Sequence, residues 1–443
     1  MKGLSERMLS IMRVMSAGTA CLVLLAATAL GSVEAEKQLR DPDPKVREKA
    51  VKQLGKEDNP ANVSILATAV QDKNEKVRMA VVKSLIHLGT PASLAPLSQA
   101  VADGFPEIRL LAIDGLVNFY LPGYVDSGFG GFFRSLGNKV GGLFSDVDTT
   151  VIPADVKPDV NVIRTLTQTI NGAPDIQTRV RAARAVGILR AHAAVPELLQ
   201  ATFSNQVDLI VEALGAFQKI KDISVGPRII FLLNYPQKSV QKSAADTLGI
   251  LRAEASIPDL QKLFENSDDK NVRAAALDAL AFMPAKAMVS MFVSYLYDKD
   301  KRLRASSALG LGRLQDPGNL STLEKAEDEE KDTGVRLALD FVLVKGGKTD
   351  SLQELVSNLS SRVHRGEARP YLIELARDAK IREALRPSLY SSDADIRKNL
   401  CIVFGASGDS ASIGYLDPLL RDRDSEVANE ASRAIRIIQS RGM

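Results

Sequence analysis

One motif, Val-Arg-x-x-Ala-x-x-x-Leu-Gly, recurs along this chain at a period near 31 residues. Clear copies are Val46-Arg47 with Ala50, Leu54 and Gly55, Val272-Arg273 with Ala276 and Leu280, and Ile396-Arg397 with Leu400, Phe404 and Gly405. With the first apolar position counted as zero, further copies are placed at 77, 108, 178, 206, 240, 303, 335 and 427, some of them degenerate there. Most spacings between neighbours run from 28 to 34 residues. The 61 residues from 335 to 396 predict a degenerate copy between 350 and 390, and the 70 residues from 108 to 178 predict one period plus an insertion of about 40 residues.

Within each copy the offsets 0, 4, 8 and 11 are mostly apolar, which is one face of a helix. A second apolar run follows, as in Ile257-Pro258-Asp259-Leu260 with Leu263 and Phe264, and Pro96 and Pro196 hold comparable places. Proline near a first helical turn costs nothing, because that N–H has no intrahelical partner. Each copy is thus two short helices, and one such hairpin buries its apolar faces only when neighbours stack on both sides. A dozen hairpins at roughly 8–10 Å per layer give a curved rod on the order of 100 Å long. Aromatic residues make up 5% of the chain and Trp is absent, while 45% is apolar, so the core is built from Ala, Leu, Val and Ile. The face lined by the second helices is expected to be the concave one.

The period, the Val-Arg…Ala…Leu-Gly first helix and the Ile-Pro-x-Leu-x-x-Leu second helix together resemble bacterial HEAT repeats, of the subtype similar to phycobilin lyase repeats. The resemblance covers residues 37–120 and 165–440. It implies an all-α fold, a right-handed α-solenoid of about 11–12 HEAT-type helical hairpins with one irregular amphipathic insertion. It does not imply one activity, since such repeats build scaffolds, adaptors, lyase subunits and the hydroxylase of deoxyhypusine.

The Arg at offset 1 (Arg47, Arg78, Arg109, Arg273, Arg304, Arg336, Arg397) has two readings. It is either a ladder of ligand contacts or a structural pair with the acidic turn before it, such as Asp41-Pro42-Asp43 or Asp393 to Asp395. One contact from every unit is more than a ligand needs, so periodicity favours the structural pair.

Motifs for chemistry are sparse. The three His, at 87, 192 and 364, fall in separate repeats and none is followed by Glu, so the paired His-Glu ligands of the iron hydroxylases are not implied. No zinc site and no Gly-x-Ser-x-Gly elbow is legible. Gly346-Gly347-Lys348-Thr349 imitates the end of a phosphate loop, but no strand precedes it and a helix stop explains it. No catalytic, cofactor-binding or metal-binding residue is therefore assigned. Lys plus Arg number 57 against 54 Asp plus Glu, interleaved without a basic stripe, which argues against nucleic acid.

At the N-terminus Lys2, Arg7 and Arg13 precede an uncharged run from Val14 to Val33, and Val33-Glu34-Ala35 offers small residues to a signal peptidase. Export with cleavage before Glu36 is expected; an uncleaved N-terminal anchor, or lipidation of Cys21, are the alternatives. A cleaved chain keeps Cys401 alone, inside an apolar helical run, which reads as a buried and inert thiol.

The segment between the third and fourth repeats differs from the rest. Phe129, Phe132, Phe133, Leu136, Val140, Leu143 and Phe144 fall on one helical arc, interspersed with Gly and with Arg134 and Lys139. A helix so rich in Gly needs a surface to persist: its own solenoid, a membrane interface, or the groove of a partner. The chain divides accordingly into a signal peptide (1–35), N-terminal repeats (36–119), the insertion (120–160) and C-terminal repeats (161–443). The expected function is a non-catalytic scaffold or adaptor of the cell envelope that binds a protein partner, with residues 129–144 in partner or peripheral membrane contact. The alternative is a lyase- or hydrolase-type enzyme built on the same repeats.

Overall fold

The computed structural model describes residues 34–125, 150–153 and 156–441, and among them it is helical with no extended strand. Twelve first helices can be followed there. They are Pro44–Lys56, Glu75–Leu88, Pro106–Tyr120, Ile176–Ile188, Val207–Ile220, Lys238–Ile250, Lys270–Phe282, Lys301–Arg313, Thr333–Lys345, Arg365–Leu375, Ala394–Ser407 and Ser425–Arg441. Second helices are shorter and often entered through a 3-10 turn, as in His192–Ala194 before Val195–Ala201 and Glu254–Ser256 before Ile257–Asn266, with Pro196 and Pro258 in the first turns. The fold is an α-solenoid. Contacts divide it into two compact units, one holding the described residues up to 125 with 159–185, the other residues 150–153, 156–158 and 186–441, so the division falls inside helix Ile176–Ile188.

Local chemistry sets the boundaries. Asp43, Asn74, Asp269, Asp300, Asp332 and Asp393 cap first helices, each accepting a backbone N–H two or three residues ahead. The first apolar position stands three residues after each cap. By that rule the fifth repeat begins at Leu209, since helix Val207–Ile220 follows cap position Gln206. The start placed at 206 is therefore three residues early, and the spacings on either side both become 31. The degenerate copy between 350 and 390 is present as Arg365–Leu375 and Ala379–Leu385; the Ser361 hydroxyl accepts from the His364 N–H just ahead of the first of these helices.

The recurrent Arg joins repeats, with partners other than the acids of the turn before it. Arg47 makes a two-pronged pair with Asp72, 25 residues downstream, through Nε (2.7 Å) and Nη2 (2.8 Å), while Nη1 donates to the carbonyls of Asp41 and Pro42. Arg78 does the same with Asp103 and the Asp72 carbonyl, Arg397 with Asp422 and the carbonyls of Ser391 and Ser392, and Arg304 with Glu330 and the Asp298 carbonyl. Each guanidinium thus clamps the carbonyls of the preceding turn to the carboxylate of the following one. Of the carboxylates expected to pair, Asp43 and Asp393 cap helices and Asp395 pairs with Arg365 and Lys398. Arg273 and Arg336 depart from the scheme: Arg273 donates to the Phe264 carbonyl and lies over that ring, and Arg336 pairs with Glu327, nine residues before it (3.6 Å).

This clamp locates the insertion. Arg109 donates to Asp175 (2.5 Å), to the Thr178 hydroxyl (3.2 Å) and to the Asp103 carbonyl, so its acidic partner is 66 residues away in place of 25. About 40 extra residues are accommodated without a change of register. Helix Val160–Gly172 packs on Leu94–Ala100, the second helix of repeat 2, and is therefore the second helix of repeat 3. The insertion lies inside repeat 3, between its two helices, and not between the third and fourth repeats. The Tyr120 hydroxyl accepts from the Asp159 N–H (2.8 Å), tying the two ends together.

Within each unit, the first helices of successive repeats pack directly on one another. Glycine permits this approach. A Cβ on Gly249 would stand 2.7 Å from the Ala279 Cα on the next first helix, and one on Gly55 would stand 2.2 Å from the Ser84 Oγ.

Candidate binding face

The apolar face assigned from sequence, Phe129, Phe132, Phe133, Leu136, Val140, Leu143 and Phe144, lies outside the described residues, as do residues 1–33 of the expected export signal. What the structure places on view is the first-helix face.

In the N-terminal unit that face carries a shallow groove of about 320 Å³ across repeats 1 to 3, lined by Glu48, Lys52, Met79, Lys83, Phe105 and Ile108 among others. Its floor is apolar and its rim charged with both signs. Lys52 pairs with Glu48 (2.5 Å), and Phe105 is 45% exposed. Further along the same unit, Asp114 is buried and paired with Arg181. Burial raises its carboxyl above the usual range, and Arg181 and Arg184 offset only part of that.

In the C-terminal unit, polar side chains gather on the first helices of repeats 6 to 10. Asp278 is buried and its carboxyl is pushed up to about 7, by desolvation first and then by Asp246 on the preceding helix, against Arg313, Lys242 and a hydrogen bond from Ser306. Lys242 pairs with Asp246 (3.0 Å). Arg313 donates to the Ala281 carbonyl (3.0 Å) and lies over the Phe282 ring at 4.4 Å. Lys345 pairs with Glu374 (2.8 Å) and lies over Phe341, whose ring stacks on Tyr371. Burial works against the Glu374 anion, yet the Lys345 hydrogen bond and the charges of Lys345, Arg313 and Arg252 hold it below the usual range. The bases of this cluster are each engaged with a carboxylate, a carbonyl or a ring, which stitches consecutive repeats together.

Sequence reading missed this cluster, although a signal was present. Asp246 and Asp278 occupy the same offset of adjacent repeats, and Arg313, Lys345 and Glu374 share another. Charge that recurs at one offset of a 31-residue period falls on one face, whatever its distance along the chain.

The family profile described as HEAT repeats matches residues 33–117, 208–281 and 262–343. The chain is a HEAT-repeat protein. No curated protein matches this HEAT-repeat chain. Solved structures similar to it include an engineered protein (18% identity, 92% of this chain and 99% of that one, TM-score 0.39). Another is the complex of CpcE and CpcF of phycocyanin lyase from Nostoc sp. PCC7120 (16%, 60% and 94%, 0.39). A third is Kap121p bound to Pho4p (12%, 92% and 57%, 0.44).

Other residues singled out in the sequence have structural places in the HEAT-repeat array. Cys401 is fully buried and burial pushes its thiol up to about 12, so it is inert. Gly346 caps helix Thr333–Lys345, Gly347 follows at φ +100°, and the Lys348 ammonium pairs with Glu324, so this glycine pair is a helix stop. His87 faces Asp58 and His364 bonds to Glu367. Among the described residues no His, Cys, Asp and Glu gather in a metal-holding group, and no helix is long and apolar enough to cross a membrane.

Proposed function

We propose that this HEAT-repeat protein is a non-catalytic scaffold that holds a protein partner along its first-helix face. The observation that carries the reading is the regular row of first helices, which presents side chains of equal offset one repeat apart and keeps its register past the insertion through Arg109 and Asp175. A surface of that kind suits an elongated partner, and the engaged bases around Asp278 leave that cluster a structural part. A photo-crosslinking residue at Met79, on the groove, should yield a discrete protein adduct in cells, and one at Glu265, on the second helix Ile257–Asn266, should not. Equal labelling from both positions, or none from Met79, would remove the proposal.

The second reading, a lyase- or hydrolase-type enzyme, draws on one observation, the Asp278 carboxyl near neutrality beside Asp246. Under it, D278N abolishes turnover and leaves the Met79 adduct intact.

The chain is also read as exported to the cell envelope, on the strength of Lys2, Arg7 and Arg13 ahead of the uncharged run and the small residues Val33 and Ala35. N-terminal sequencing of protein from an envelope fraction should find Glu36 first. The arc Phe129–Phe144 is read as its contact element. Liposome flotation of the chain should be lost in F132D/F133D with helical content unchanged, and flotation that survives the double substitution would withdraw that role.

A further inference from the structure

Three successive repeats of the C-terminal unit place a basic residue where the backbone favours glycine. Arg190, Lys221 and Arg252 follow first helices in the left-handed region, at φ of 51°, 61° and 51°. Gly89 and Gly347 hold the corresponding place in repeats 2 and 9, at φ of 54° and 100°, and Asp58 and Gln315 hold it in repeats 1 and 8, at φ of 41° and 51°, so the basic residues are confined to three consecutive repeats. A residue with a Cβ occupies that region at a cost that glycine avoids. The three cations stand 31 residues apart at one offset, so they line one edge of the array, one per repeat.

Their side chains are not used by the fold. Lys221 and Arg252 are exposed and Arg190 is half-buried, and among the described residues none of the three makes a side-chain hydrogen bond or ion pair. Arg377, exposed on repeat 10, joins them: although the Lys221 side chain is exposed, its ammonium is held below its usual value by partial desolvation among its neighbours first and then by the positive charges of Arg190 and Arg377. Arg252 in turn acts on Glu374, the residue three before Arg377. Neighbouring acids are engaged locally. Asp222 accepts from Ser224, Asp378 caps the Lys380 N–H and Glu374 holds Lys345.

We propose that Arg190, Lys221 and Arg252, with Arg377 opposite, form a docking row for an acidic, extended segment of a protein partner. The inference rests on the scaffold reading and names the chemistry of what the scaffold holds. Charge complementarity selects an acidic occupant, and the repeat spacing selects its pattern. Layers roughly 8–10 Å apart match about three residues of polyproline-II-like extended chain at ~3.1 Å each, and three residues per turn put every third side chain on one side, so carboxylates at every third position meet successive cations. A nucleic acid is disfavoured by a chain whose 57 basic and 54 acidic residues are interleaved.

The test uses the full chain and a labelled peptide with Glu at every third position in a Gly/Ser background, beside the same peptide with Gln. Fluorescence anisotropy should show the Glu peptide binding about tenfold or more tightly than the Gln peptide, with affinity falling as salt rises. R190G/K221G/R252G should lose that preference while melting at or above the parent temperature, because glycine relieves the left-handed backbone. K221Q/R252Q, which keeps side chains at both positions, should lose it as well. Undiminished peptide binding in either variant overturns the proposal, as does a glycine variant that melts lower, since the cations would then be structural. Labelled oligothymidylate that binds as tightly as the Glu peptide overturns it in favour of nucleic acid. If the Met79 adduct persists while the Glu peptide does not bind, this inference falls and the scaffold reading stands; loss of both removes both.

Discussion

Asp278 sits among Ala and Leu on helix Lys270–Phe282, and burial, then Asp246, pushes its carboxyl up to about 7. The unfolded carboxyl titrates near 3.9. Below that pH both states are protonated and Asp278 adds no penalty. Between the two values the folded chain retains a proton that the unfolded chain releases, so stability falls as pH rises through this window and levels off above it. Asp340, also near 7 through burial and then Glu327 and Glu354, contributes with the same sign. D278N should therefore weaken the pH dependence without abolishing it, and melt above the parent at pH 8. Thermal melts at pH 5 and 8 check this, and an unchanged difference between the two would show that Asp278 does not titrate there. Asp422 works in the opposite sense: the Arg397 hydrogen bonds hold its carboxyl below the usual range, and the stability it contributes is present near neutrality and lost in acid.

Between elements, the close approach of successive first helices depends on a missing side chain. Gly249 faces backbone, the Ala279 Cα, which cannot rotate aside as a side-chain tip can. G249V should cost about 1–3 kcal/mol by overpacking. Gly414, in helix Ser410–Leu416, has nothing within 4 Å of the point a Cβ would occupy, so G414A should gain about 0.5–1 kcal/mol from a stiffer unfolded chain. Urea unfolding of the two variants separates the effects by sign. Equal shifts would mean that glycine acts here only through helix propensity.

At the scale of the molecule, the clamp between Arg109 and Asp175 joins repeats 3 and 4, and Ile152 of the intervening stretch adds a buried side chain and an N–H bonded to the Ile188 carbonyl. A chain in which residues 126–149 are replaced by a short Gly/Ser linker that leaves Ile152 in place should keep its helical signal and melt within about 2 °C of the parent. A large loss in either would make the insertion a structural part of the array. Stability in such an array is a sum over nearest neighbours, so local substitutions should be felt mainly in their own and adjacent repeats.

The 31-residue period, the hairpin unit, the all-α class and the length of the insertion were legible in the chain, because helix amphipathicity and neighbour stacking are local and repeat. So was the buried state of Cys401, from the apolar run around it. Tertiary structure decided three things that no local window contains. The acidic partners of Arg47, Arg78, Arg109, Arg304 and Arg397 lie one repeat ahead, and only stacking brings Asp72 to Arg47 or Asp175 to Arg109. The insertion interrupts repeat 3 from within, which shows only once Val160–Gly172 is seen packing on Leu94–Ala100. The buried acids and the row of Arg190, Lys221 and Arg252 become neighbours because equal offsets meet in space while standing 31 or 32 residues apart in sequence, and electrostatics acts through distance in space.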